Sequence, residues 1–301
     1  MYDVIVIGAG PAGLSAGIYT IRSGLKAIIV ERGVSGGQAA EAPVIENYPG
    51  FQSIAGMELM EKMKDHCSKY CGIKENERVV NITNPLKDGF LIETERERYK
   101  SRAVIIATGA KHRKLNIRGE NEFLGKGVSY CATCDGFFFK NKKVVVVGGG
   151  NTAIADAIYL KSVGANVKVV HRRNELRADR ALQDSMFSKG VEAIFNSQVK
   201  EIKGGRKVEK ISLSNGEEIA CDGVFISIGE EPNNELAKLL GLKMDEKGYV
   251  KTGENQRANK KFVYAAGDIA AGMKQVVVAC AQGATAASSA YIDLQNPYWA
   301  H

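Results

Sequence analysis

The chain of 301 residues is 45% hydrophobic and 25% charged, with six prolines and no low-complexity tract, which excludes a disordered or fibrous protein and allows a sizeable core. Lys and Arg number 41 against 34 Asp and Glu, a net charge of +7, but the signs alternate and no basic block suggests a nucleic-acid arm. The excess favours anionic ligands such as dinucleotides, and acidic protein partners; the length makes two domains the starting expectation.

In chain order, Asp3 follows Met1 almost at once, and the first apolar run, residues 4–7, is cut by Gly8 and Gly10. That is neither a secretory signal nor a membrane span, so no membrane partner is expected and the six cysteines read as cytosolic thiols of a cytoplasmic protein. Residues 4–32 carry a β-branched run, a glycine turn, an Ala/Ile-rich stretch of helical length and a second apolar run at 27–30. The same unit returns without a gap at 144–172, where Gly8, Gly10, Tyr19 and Gly24 fall on Gly148, Gly150, Tyr159 and Gly164.

Strand, helix and parallel strand around G-x-G-x-x-G or its Ala variant form the dinucleotide-binding fingerprint in its required context. One glycine permits the tight turn, another lets the backbone approach a pyrophosphate, and Gly13 or Ala153 in the third position keeps helix against strand. Pro11 and Ala12 complete the first turn, Asn151 and Thr152 the second, and the phosphates belong at the helix N-terminus.

The copies differ at the end of their second strands. The first has Glu31, followed by Arg32; a carboxylate there accepts hydrogen bonds from an adenosine ribose and repels a 2′-phosphate. The second has His171, Arg172 and Arg173, with Arg177 four residues on. Guanidinium groups bind phosphate oxygens bidentately, so this edge suits the 2′-phosphate of NADPH; an ordinary basic helix start is the competing reading.

Between the copies stands Cys131-Ala132-Thr133-Cys134, followed by Asp135. A single C-x-x-C is half a zinc site as readily as a redox pair, or it is structural; no second pair with zinc spacing exists, so dithiol chemistry is favoured and no metal is expected. Exchange needs an attacking thiolate and a proton for the departing sulfur, which Asp135 could hold if burial raised its pKa; a solvent-exposed turn residue is the alternative. Nicotinamide gives hydride while disulfides are reduced through thiolates, and a flavin links the two chemistries. The first unit is therefore expected to hold FAD. Cys67 and Cys71, four apart, are read as small apolar residues buried on one helix face, with a redox role as the competing reading, and Cys221 and Cys280 are assigned no chemistry.

Motifs spread over nearly the whole chain, namely GAGPAG at 8–13, GGQ at 36–38, ENYPGF at 46–51, ATG at 107–109, CATCDG at 131–136, GGGNTA at 148–153, HRRNELRA at 171–178 and AAGD at 265–268, resemble those of the low-molecular-weight thioredoxin reductases. The resemblance implies an α/β fold of two Rossmann-like three-layer nucleotide-binding domains, the second inserted in the first. It places FAD on 1–112 with 242–301, and NADPH with the cysteine pair on 113–241. Strands at 104–106 and 225–228 would lead to the crossings, and residues 272–290 would form an Ala/Ser-rich helix.

The resemblance further implies that Gly37, Gln38, Asn47, Thr108, Gly109, Gly267, Asp268, Lys274, Gln275 and Val276 join the FAD site and that Gly229 joins the NADPH site. For Asn47 and Gln38 a loop-capping role competes. Cys134 would face the flavin, Cys131 would attack the protein substrate, and Asp135 would be the acid/base. The implied partner is thioredoxin or a thioredoxin-like protein, the implied assembly a homodimer, and the inserted domain would rotate about segments 111–113 and 230–233. Glu230, Lys274 and Asn151 depart from the residues common at those places in the family. An oxygen-dependent dithiol oxidase, a ferredoxin-dependent reductase or a dinucleotide-sensing regulator would share the scaffold; the arginine cluster argues against the first two and the cysteine pair against the last.

Overall fold

The computed structural model describes residues 1–42, 44–86 and 89–296. The chain divides into two compact units, Met1–Lys111 with Glu231–His301, and His112–Glu230.

In the first unit the strands Gly72–Lys74, Ala27–Val30, Tyr2–Ile7 and Arg98–Ile106 lie side by side in parallel. The last of these is long enough to serve two partners. Its C-terminal half pairs in parallel with Val263–Ala265, and its N-terminal half pairs antiparallel with Gly89–Thr94, which is joined in turn to Val79–Leu86. The uninterrupted apolar runs of the sequence follow from burial on both faces. Val4, Val6, Ile29 and Ile105 point into one core with the helices Pro11–Arg22 and Val276–Gln295, while Ile5, Ile7, Ile28 and Ile106 point into another with Phe90 and Leu236.

The second unit repeats the plan with a parallel sheet of Glu192–Ile194, Asn166–Val170, Lys143–Val147, Gly223–Ile226 and Val128–Ser129. Val144 and Val146 face the helix Asn151–Ser162 in one core; Val145 and Val147 face the antiparallel sheet Val199–Gly204, Val208–Leu213 and Glu218–Ala220 in the other. Each unit is thus three-layered.

Several boundaries differ from expectation. Residues 231–241 belong with the first unit rather than the inserted one, because Leu236 and Ala237 of the short helix Glu235–Leu239, with Leu240 behind it, are buried in the Phe90 core. The C-terminal helix starts at Val276, not at 272: Gly272 has φ 133° and Gln275 is extended, so neither continues a helix. It runs on to Gln295, where Asn296 in the left-handed region stops it. Helix Gly56–Ser68 includes Cys67 but ends before Cys71; both are nonetheless buried in one core.

Helices Pro11–Arg22 and Val276–Gln295 cross closely because Gly283 lacks a side chain; a Cβ there would collide with the Ala12 carbonyl. Gly283→Val is expected to cost about 1 to 3 kcal/mol, the usual range for overpacking. An unchanged midpoint in chemical denaturation would contradict this close approach.

Candidate functional site

In the first unit the strand Tyr2–Ile7 ends at Gly8, whose φ of 110° disfavours other residues and whose added Cβ would strike the Ala107 carbonyl. A Cβ at Gly13 would strike the Gly8 carbonyl, so helix and strand meet as the fingerprint requires. Gly10 faces open space and caps the helix with no side chain, and Pro11 takes the first position; the first-turn N–H groups stay available to an anion. Glu31 Oε2 accepts the Ala9 N–H at 2.8 Å and Oε1 accepts the Gly33 N–H at 2.9 Å, fixing the carboxylate beside the turn; Arg32 is exposed.

The other residues expected around FAD form linked contacts. Gly37 lies against Gly10, and Gly267 against Ala12. Gln38 donates to the Ala110 carbonyl. Asn47 Nδ2 donates to Gln275 Oε1 at 3.0 Å, just before Val276 opens the last helix. Thr108 Oγ1 donates to the Asn233 carbonyl at 2.7 Å and the Asn233 amide returns a bond to the Thr108 carbonyl at 2.8 Å; Gly109 then turns with φ 66°. The Gly267 N–H is satisfied by Gln282 at 2.8 Å, and Asp268 beside it is half-buried. Lys274 bonds Tyr249 Oη with its ammonium 4.1 Å from the ring centre.

In the second unit Gly148 is closed off by the Ser227 carbonyl and the Ala153 methyl, while Gly150 faces open space and again leaves the helix without a side-chain cap. Asn151 and Asp179 bond reciprocally at 2.7 and 2.8 Å, and Thr152 is exposed. The Gly149 carbonyl accepts the N–H groups of Arg177 at 2.6 Å and Ala178 at 3.1 Å, so the arginine loop folds back onto the glycine turn. His171 is buried against Gly149 with Nε2 unbonded, and burial, then Arg177, lowers its pKa. Arg172, Arg173 and Arg177 are exposed, and among the described residues no carboxylate pairs with them. Ser227 donates to Asp156 at 2.6 Å, and burial holds that carboxyl above its usual pKa. Gly229, at φ 102°, accepts the Arg113 N–H at 3.0 Å.

Cys131 and Cys134 form a disulfide with Cα atoms 5.3 Å apart. Cys131 is the extended cap of a one-turn helix, Ala132–Asp135, which brings the Cys134 N–H within 3.2 Å of the Cys131 sulfur. Asp135 is half-buried rather than an exposed turn residue; desolvation raises its pKa, against a smaller lowering by a hydrogen bond from Ser129. Next to the pair, Tyr130 stacks on His112 at 4.8 Å and donates to the buried Glu120 at 2.7 Å. Just after the pair in sequence, in the turn Gly136–Phe139, Phe137 and Phe138 are 66% and 41% exposed, two adjacent aromatic side chains open to solvent. Among the described residues no group of His, Cys, Asp and Glu could hold a metal, and no helix is long and apolar enough to cross a membrane.

Sequence reading missed Ser129, Asn233, Asp179, Tyr249 and Gln282, each of which holds a predicted residue or its neighbour in place. Only Ser129 had a usable signal, its position two residues before the cysteine motif. The others reach their partners from distant segments.

The protein-family description "pyridine nucleotide-disulphide oxidoreductase" matches residues 2–283. The chain is 43% identical to the thioredoxin reductase of Listeria innocua over 298 residues, covering 96% of this chain and 93% of that one. It is 42% identical to that of Bacillus subtilis over 297 residues, with the same coverages. The crystal structure of thioredoxin reductase from Streptococcus pyogenes superimposes with a TM-score of 0.93 at 39% identity, over 99% of each chain. The two glycine cradles, the carboxylate on one edge and the unpaired buried His171 on the other fit FAD and NADPH. This chain belongs to the pyridine nucleotide-disulphide oxidoreductase family and is a flavoprotein disulfide reductase that uses FAD and NADPH.

Proposed function

We propose that the enzyme takes electrons from NADPH, by way of FAD, to the Cys131–Cys134 disulfide and delivers them to the disulfide of thioredoxin or a thioredoxin-like protein, as a cytoplasmic homodimer. The observation that carries this reading is the C-x-x-C disulfide followed directly by a half-buried acid and two exposed phenylalanines. The names of the relatives in Listeria and Bacillus support the substrate class.

On this reading the first unit is the FAD domain. Gly8, Gly10, Pro11, Ala12 and Gly13 hold the pyrophosphate, and Glu31, with Arg32 beside it, binds the adenosine ribose. Gly37, Gln38, Asn47, Thr108, Gly109, Gly267, Asp268, Lys274, Gln275 and Val276 line the rest. The second unit holds NADPH on Gly148, Gly150, Asn151, Thr152, Ala153 and Gly229, with His171, Arg172, Arg173 and Arg177 at the 2′-phosphate. The flavin, when bound, supplies the conversion between nicotinamide hydride and sulfur chemistry. Cys131 attacks the partner and Cys134 resolves the mixed disulfide, with Asp135 holding a proton between steps. Phe137 and Phe138 offer the partner an apolar seat.

Steady NADPH oxidation with oxidised thioredoxins tests the proposal; no turnover with any thioredoxin-fold disulfide protein would reject the substrate class. Glu31→Ala is expected to weaken FAD by one to two decades, since a charged hydrogen bond contributes about 1.5 to 3 kcal/mol. Titration of apoprotein with FAD measures it, and an unchanged affinity would remove Glu31 from the site.

A further inference from the structure

Asp135 is held by a neighbour that the reaction scheme leaves unused. Ser129 ends the strand Val128–Ser129 and is 4% exposed. Its hydroxyl donates to Asp135 Oδ2 at 2.6 Å and accepts the Cys131 N–H at 3.0 Å, with the Cys131 carbonyl 3.3 Å away. One buried oxygen therefore ties the acid to the cysteine that attacks the partner. We propose that Ser129 is the positioning residue of the exchange reaction, fixing the Asp135 carboxyl against the cysteine turn so that protons pass between acid and sulfur in one geometry.

The inference rests on the dithiol-reductase reading above. In that reaction the partner's S–S bond breaks and the Cys131–Cys134 bond forms. Two electrons pass to the partner, and the two thiol protons of the pair end on its two sulfurs. Asp135 holds one of those protons in passing, so its position and its proton affinity both matter.

The groups around Asp135 bear on this. Cys131 and Cys134 share its helix turn, and Gly136 next to it packs against the ring of Tyr159 on helix Asn151–Ser162. That helix also carries Asp156, bound to Ser227, and Lys161. Burial raises the Asp135 pKa and the hydrogen bond from the Ser129 hydroxyl lowers it. Ser129 thus also limits how far the carboxyl stays protonated as pH rises. Removing the hydroxyl is expected to raise the carboxyl's titration midpoint by about one pH unit, the lower end of what a hydrogen bond to a charged group supplies.

The test is a carbon-13 NMR titration of the Asp135 carboxyl in the flavin-loaded protein reduced with dithiothreitol, its signal assigned by loss in Asp135→Asn. The midpoint is expected to move up in Ser129→Ala and in Ser129→Gly, and to return in Ser129→Thr. The basic limb of single-turnover thioredoxin reduction by prereduced protein is expected to move with it. A midpoint unmoved in both hydroxyl-free variants, or equally shifted in Ser129→Thr, would overturn the assignment of Ser129. Chemical reduction makes the NMR readout independent of NADPH. Failure of NADPH to reduce the wild-type disulfide would reject the reductase reading by a separate measurement.

Discussion

Serine in place of Cys134 is expected to lower turnover with a disulfide protein by more than about 10⁴-fold, the scale on which an enzyme loses one member of a unit that acts together. The chemistry fails at a defined point. Cys131 remains free to attack the partner, and the mixed disulfide it forms has no internal thiol left to resolve it. The adduct should therefore accumulate, and intact-mass spectrometry after incubation with oxidised thioredoxin should find a partner linked through Cys131. Cys131→Ser should lose turnover to the same extent, with far less adduct. Cys131 caps the helix Ala132–Asp135 and its sulfur accepts the Cys134 N–H at 3.2 Å, a contact that favours the thiolate an attacking sulfur needs. An active double-serine variant, or an adduct linked through Cys134 in the wild type, would refute it.

Arg172→Ala and Arg177→Ala are each expected to lower kcat/KM for NADPH by one to two decades while leaving NADH nearly unchanged. NADPH differs from NADH only by the 2′-phosphate, so a preference must come from groups touching that phosphate. A charge-assisted contact of about 1.5 to 3 kcal/mol converts to that range. Both side chains are exposed, so salt should erode the preference. The Gly149 carbonyl, which accepts the Arg177 N–H, ties this loop to the second glycine turn. The double variant should lose less than the sum of the singles, because the two would share one phosphate. Equal losses with both coenzymes would make the cluster structural.

The repeat was the most legible part of the sequence. A β-branched run, a turn that only small residues permit and an Ala-rich helix are local signals, and the structure has both copies with the expected parallel strands. The cysteine pair was legible for the same reason, since three residues suffice to bring two sulfurs together. The second crossing was not. Leu236 and Leu240 read as any apolar pair until the Phe90 core is seen to receive them, and only tertiary contact tells to which unit they belong. Asp135 was half legible: its adjacency to the pair suggested chemistry, but its burial and the Ser129 bond come from a strand edge no periodicity could mark. Gln282 and Tyr249 lay beyond inference because their partners, Gly267 and Lys274, meet them only across folded loops.

The two-stranded ribbon of Ala110–His112 and Glu230–Pro232 carries the chain both into and out of the second unit. His112 and Glu230, the first and last residues of that unit, touch at 3.2 Å. A guest whose ends adjoin imposes almost no loop-closure entropy on its host, and its own folding does not wait for the host to hold its ends together. The unit is therefore a natural cassette. Cut out at residues 112 and 230 it should fold as a free-standing protein, and the gap it leaves should be bridged by a short turn, so that each half could be studied, replaced or recombined on its own.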